Sequence, residues 1–159
     1  MKNRHHNSGI AVIASIVLLT FAVPASAVDT MSSTDAPDLA APRAMIKAKD
    51  WPKAIAELEK IAATTTHADV YSLLGFSLRK SGRIDEARMY YAKALDFDPK
   101  HKGAHEYLGE LHVTVGDMKK ANVQLAILEK LCPQGCEELT DLRKHIAETT
   151  ATPAAAKTN

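Results

Sequence analysis

The chain has 159 residues, a formal net charge of +1 and one residue in four charged. That length accommodates one modest domain, and so even a charge balance gives no basis for binding nucleic acid or an anionic membrane surface. Partners have to be sought in shape and local patterning instead.

Residues 1–27 read as a Sec-type secretory leader. Lys2 and Arg4 make a basic start, Ile10 to Val23 is apolar apart from Ser15 and Thr20, and Pro24 leads into Ala25-Ser26-Ala27. Cleavage is expected after Ala27. The apolar run falls short of the roughly 20 residues that a membrane-spanning helix needs, so an exported, periplasmic or secreted product without stable membrane insertion is expected. Losing Lys2 and Arg4 takes twenty basic residues to eighteen against nineteen acidic ones, leaving −1. Residues 28–38 are Ser, Thr, Asp, Ala and Pro with little to bury and read as a disordered linker, and 149–159 as a disordered tail.

Between them the helical period repeats. Residues 39–67 hold a truncated unit: "KDWPKAIAELEKI" (Lys49 to Ile61) places Ala54, Leu58 and Ile61 on one face with Trp51 over the turn. Only a shortened helix near 42–48 precedes it, with Pro42 suited to a first turn. Residues 68–101 and 102–135 then form two full units. Shifted by 34 with no gap, Leu74 falls over Leu108, Gly75 over Gly109, Gly82 over Gly116, Ala87 over Ala121, Tyr91 over Leu125 and Pro99 over Pro133. Within a unit Tyr71, Leu74, Gly75 and Leu78 share one helix face, and Ala87, Tyr91, Ala94 and Leu95 the matching face of a second. Gly75 and Ala87 are small where the helices would cross, Gly82 permits the tight turn, and Pro99 ends the second helix. Leu139, Leu142 and Ile146 give 136–148 the face of a capping helix.

The Leu-Gly, Ala, large apolar, Ala and Pro positions of these units resemble the tetratricopeptide repeat (TPR) family. That resemblance implies an all-α fold, a solenoid of helical hairpins, and a non-catalytic interaction module that binds a protein or peptide. It is similar in particular to small secreted bacterial proteins of the family, which implies a scaffold in the cell envelope.

Cys132 and Cys136 flank the junction between the last unit and the cap. In an exported chain two cysteines favour a disulfide, and the Pro-Gly turn between them could bring the Cα atoms close enough. A redox centre is weakened by three intervening residues rather than two and by the lack of strands. A soft-metal site would need further ligands, for which His145 and Met118 have no spacing argument. His101, His105 and His112 invite a metal reading too, but His105 and His112 occupy the repeat positions of Tyr71 and Leu78 and read as packing residues. No nucleotide, hydrolase or metalloprotease motif occurs, so no catalytic residue, cofactor or metal is assigned.

What remains is a surface. The first helices of stacked units line the hollow side of such a solenoid. Their stripe not used for packing is Asp69, Ser72, Phe76, Arg79 and Lys80, then Gly103, Glu106, Glu110, Val113 and Thr114. Phe76 beside Arg79 and Lys80 would suit a peptide with an apolar anchor and an acidic end, or Phe76 packs against the truncated unit. Family members that clamp carboxylate tails of chaperones carry Lys and Asn on this stripe; Ser72, Phe76, Glu106 and Glu110 here do not imply that partner. A homo-oligomer is the alternative, since the truncated end is expected to leave apolar surface at Trp51, Ile55 and Leu58.

Overall fold

Small residues set where the helices of this chain meet, and the computed structural model shows the result over residues 36–151. The expected leader with its expected cleavage point, most of the expected linker and the end of the expected tail lie outside the described residues. Seven helices follow one another, with no strand among the described residues. They are α1 (Ala40–Lys47), α2 (Trp51–Ala62), α3 (Ala68–Lys80), α4 (Ile84–Phe97), α5 (Lys102–Thr114), α6 (Met118–Leu131) and α7 (Glu137–Ala151). None is long and apolar enough to cross a membrane.

The first six helices pair as hairpins, α1 with α2, α3 with α4 and α5 with α6. Each hairpin then stacks on the next through α2 on α3, α4 on α5 and α3 on α5, and α7 lies against α5 and α6. Fold class is therefore all-α, a helical-hairpin solenoid.

The interlock inside a hairpin is steric. A Cβ built on Gly75 would stand 2.7 Å from the Tyr91 ring and 3.2 Å from the Ala87 carbonyl oxygen, so only glycine lets α3 and α4 close. Tyr91 is fully buried there. Gly109 occupies the same repeat position but meets a different neighbour: its Cβ would stand 2.5 Å from Leu142 of α7. The cap thus uses the notch that the repeat pattern provides.

The hairpin turns need a left-handed residue, and Gly82 (φ 85°) and Gly116 (φ 79°) supply it. The first hairpin places Lys49 there, with φ 59°. Helix starts also differ between units. Asp50 and Asp117 accept from the N–H groups of Lys53 and Lys120 at the heads of α2 and α6, whereas Arg83 at the head of α4 offers no acceptor.

Apolar burial falls into two clusters. The larger joins Leu39, Ile55, Leu58, Tyr71, Leu74, Leu78, Tyr91 and Leu111 across the hairpins, and the smaller joins Leu128, Cys132, Leu139 and Leu142 under the cap. The surface expected at the truncated end is not open: Leu58 is fully buried, Ile55 is 6% exposed, and Trp51 is half-buried with its ring 6.1 Å from that of Phe76. Eight residues of α1 suffice because Leu39 and Pro42 fold down onto that end and are themselves buried.

Candidate functional site

The stripe expected to face a guest runs along α3 and α5, and its members fall into three situations. The first is commitment to the fold. Arg79, with a side chain 7% exposed, pairs with Glu110 on the next first helix, so its charge is already neutralised. Phe76 is half-buried, its ring centroid 4.9 Å from that of Tyr107 and edge-on to Trp51, with Lys80 Nζ 5.3 Å over its face. Val113 is 4% exposed, and Thr114 turns its hydroxyl to the Glu110 carbonyl 2.9 Å away. An apolar anchor with two free cations beside it is therefore not what this end of the stripe presents.

Asp69 is held by its neighbours. His101 sits at the head of α5, where its Nδ1 accepts from the Ala104 N–H at 2.9 Å, which leaves the ring proton on Nε2 to donate to Asp69 Oδ1 at 2.6 Å. Arg43 of α1 approaches the other oxygen of Asp69 at 3.6 Å. His101 is thus a cap and a clasp between units. His105, 6% exposed, lies with Nε2 3.0 Å from the Pro99 carbonyl and Nδ1 2.8 Å from Gln124 Oε1, in a packing position. His112 is buried with Nδ1 unpartnered, and burial pushes its pKa down. No group of three His, Cys, Asp or Glu side chains converges as a metal site among the described residues.

The third situation is burial without a partner. Ser72 is 2% exposed and its Oγ finds no hydrogen bond. Glu106 is 8% exposed, mid-helix, and paired with no cation. Burial is the main cause that raises its pKa to about 8, and the carboxylates of Glu110, Asp141, Glu138 and Glu137 add to it. Tyr107 beside it is likewise pushed up to about 12, by burial first and then by Glu106 and Glu110, against the opposing charges of Arg43 and Arg79.

Ser72 and Glu106 line hollows. One of about 160 Å³ takes in Arg43, Asp69, Ser72 and His101, the other of about 210 Å³ takes in Glu106, Glu137 and Asp141. Gly103, Tyr107 and Glu138 line both, so the two adjoin along the face shared by α1, α3, α5 and α7. A third hollow, by Pro52, Ile55 and Arg83, contains none of the stripe. Sequence reasoning found Asp69, Ser72 and Glu106 but missed Tyr107, Glu137, Glu138 and Asp141. Glu137 and Asp141 stand four apart and so on one side of α7, a legible signal. That this side turns toward α5 depends on Leu142 seating at Gly109.

The two cysteines sit at the junction of α6 and α7, their sulfurs at disulfide distance and their Cα atoms 5.8 Å apart.

Residues 68–101 match the family model of the tetratricopeptide repeat. Among solved structures, the TPR domain of OM64 from Arabidopsis is similar in fold, with a TM-score of 0.61 and 19% identity, over 67% of this chain and 88% of that one. No curated protein matches the chain.

Proposed function

From a chain that carries a tetratricopeptide repeat and folds as a TPR-type hairpin solenoid, we propose a non-catalytic protein-interaction scaffold of the bacterial cell envelope, binding a protein or peptide in the concave groove of its first helices. The observation that carries the reading is the pair of adjoining hollows on one face, one lined by Glu106, which is 8% exposed and paired with no cation. A carboxyl group buried without a cation is costly, so Glu106 at such a hollow favours a guest that completes it.

Export rests on the leader-like first 27 residues, and the cysteine pair fits it: an oxidising compartment would close Cys132 and Cys136 into a disulfide. Self-association is disfavoured by the burial of Ile55 and Leu58, which removes the surface that would have driven it.

Site-directed photocrosslinking in cells tests the assignment of the face. A photoreactive residue at Glu137, exposed beside the larger hollow, is expected to give protein adducts, and one at the exposed Met89 of α4 is not. Equal adducts from Met89, or none from Glu137, overturn it. Cell fractionation with intact-mass measurement checks the address, the exported form being expected to begin at Val28.

A further inference from the structure

The larger of the two adjoining hollows has a chemical character that the binding reading alone does not use. Four of the side chains that line it are carboxylic acids, Glu106 of α5 and Glu137, Glu138 and Asp141 of α7, and the remaining two lining residues are Gly103 and Tyr107. No lysine, arginine or histidine lines it. Glu137 and Glu138 have an ordinary reason to be acidic, since they lie in the first turn of α7, where the helix dipole favours negative charge. Glu106 has no such reason. It lies in the middle of α5, it is nine-tenths buried, and the two arginines of the neighbouring first helices pair elsewhere, Arg79 with Glu110 and Arg43 with Asp69.

An unpartnered carboxyl group in that position works against folding, because burial removes water and the surrounding acids repel its charge. A neutral or apolar side chain would serve packing better. The missing component is a positive charge brought from outside, and Tyr107 offers a ring face of the kind against which an ammonium or guanidinium group packs favourably. Beside it Gly103 adds no side chain to the lining.

We propose that this hollow receives the lysine or arginine side chain of a basic peptide segment, with Glu106 as its buried counter-charge, Tyr107 as its wall, and Glu137, Glu138 and Asp141 as the acidic rim. The occupant follows from charge complementarity. The proposal rests on the reading of this face as the binding face and adds the class of guest.

Entry of a fixed cation favours ionised Glu106, so a proton leaves as the side chain arrives. The acids that face this group, Glu110 on its own helix and Glu137, Glu138 and Asp141 on α7, all hold its pKa up, and the cation opposes them. Affinity therefore rises with pH up to about 8, while a lysine probe stays charged throughout.

The test uses the purified chain, ¹⁵N-labelled, titrated with Gly/Ala octapeptides that carry two lysines, two arginines, two norleucines or two glutamates. Lysine and arginine peptides are expected to shift the amides of Gly103, Tyr107 and Glu138, with affinity rising between pH 6.5 and 8.5. Glu106→Gln, close in shape, is expected to weaken them at least tenfold and to flatten the pH dependence. Asp96→Asn removes the same charge from an exposed site on α4 and is expected to change nothing. Norleucine binding as tightly as lysine, or Glu106→Gln binding as well as the parent, overturns the cation pocket and leaves the binding face standing. Calcium ions shifting these amides where lysine peptides do not overturns it in favour of a metal site. If no peptide perturbs this face and Glu137 gives no crosslink, pocket and binding face fall together.

Discussion

Lys49 shows most directly how a single residue departs from the pattern around it. Its backbone takes the left-handed conformation that Gly82 and Gly116 supply at the other hairpin turns, and a side chain in that region costs about 1 kcal/mol. Lys49→Gly is therefore expected to stabilise the chain by up to about 1 kcal/mol, the strain relief being partly offset by the greater freedom of glycine in the unfolded state. Urea denaturation of the two forms checks it. At this scale much was legible beforehand: glycine at 75 and tyrosine at 91 carry their own explanation once a hairpin is assumed, and the ring does lie in the notch. The charged stripe was less legible. Arg79 was named from helix position, but its partner Glu110 lies 31 residues on, and only the stacking of α3 on α5 reveals that the two charges cancel.

Among the elements, α7 depends most on what precedes it. Its apolar side, Leu139 and Leu142, packs with Leu128 and Cys132 of the preceding helix and its end, and the Cys132 to Cys136 link shortens the connection between them. A ring this small contributes about 2 kcal/mol on a chain-entropy estimate. Treatment with dithiothreitol, or Cys132→Ser with Cys136→Ser, is expected to lower stability by about that amount. Amide exchange in α7 should speed up well before that in α3 and α4, and hydrogen exchange read by mass spectrometry separates the two regions. The capping role of this helix could be read from three apolar positions. Its acidic side facing α5 could not, because rotation about the helix axis is fixed by one leucine entering a gap left by a glycine on another element.

For the whole molecule, the acid at Glu106 makes stability depend on pH. Its folded-state pKa, about 8, lies above the usual 4.5, so the folded chain holds this proton more tightly than the unfolded chain does. The stabilisation from this group is complete below about pH 4.5 and is lost as pH rises through about 8. The parent is expected to lose stability between pH 5 and 8.5. Glu106→Gln is expected to lose less, and to exceed the parent by on the order of 2 kcal/mol at pH 8.5, measured by chemical denaturation at both values.

Two contacts between α3 and α5 share an offset. Arg79 meets Glu110 and Phe76 meets Tyr107, each 31 positions ahead, although the repeat itself is 34. Equivalent residues on the two helices are therefore displaced by three residues of axial rise, about 4.5 Å, as well as by the 8–10 Å between neighbouring axes. A strand visiting the same spot on successive units would run diagonally and cover about 10 Å per step, the reach of about three extended residues. Side chains that engage matching sites would then recur at every third position of such a strand.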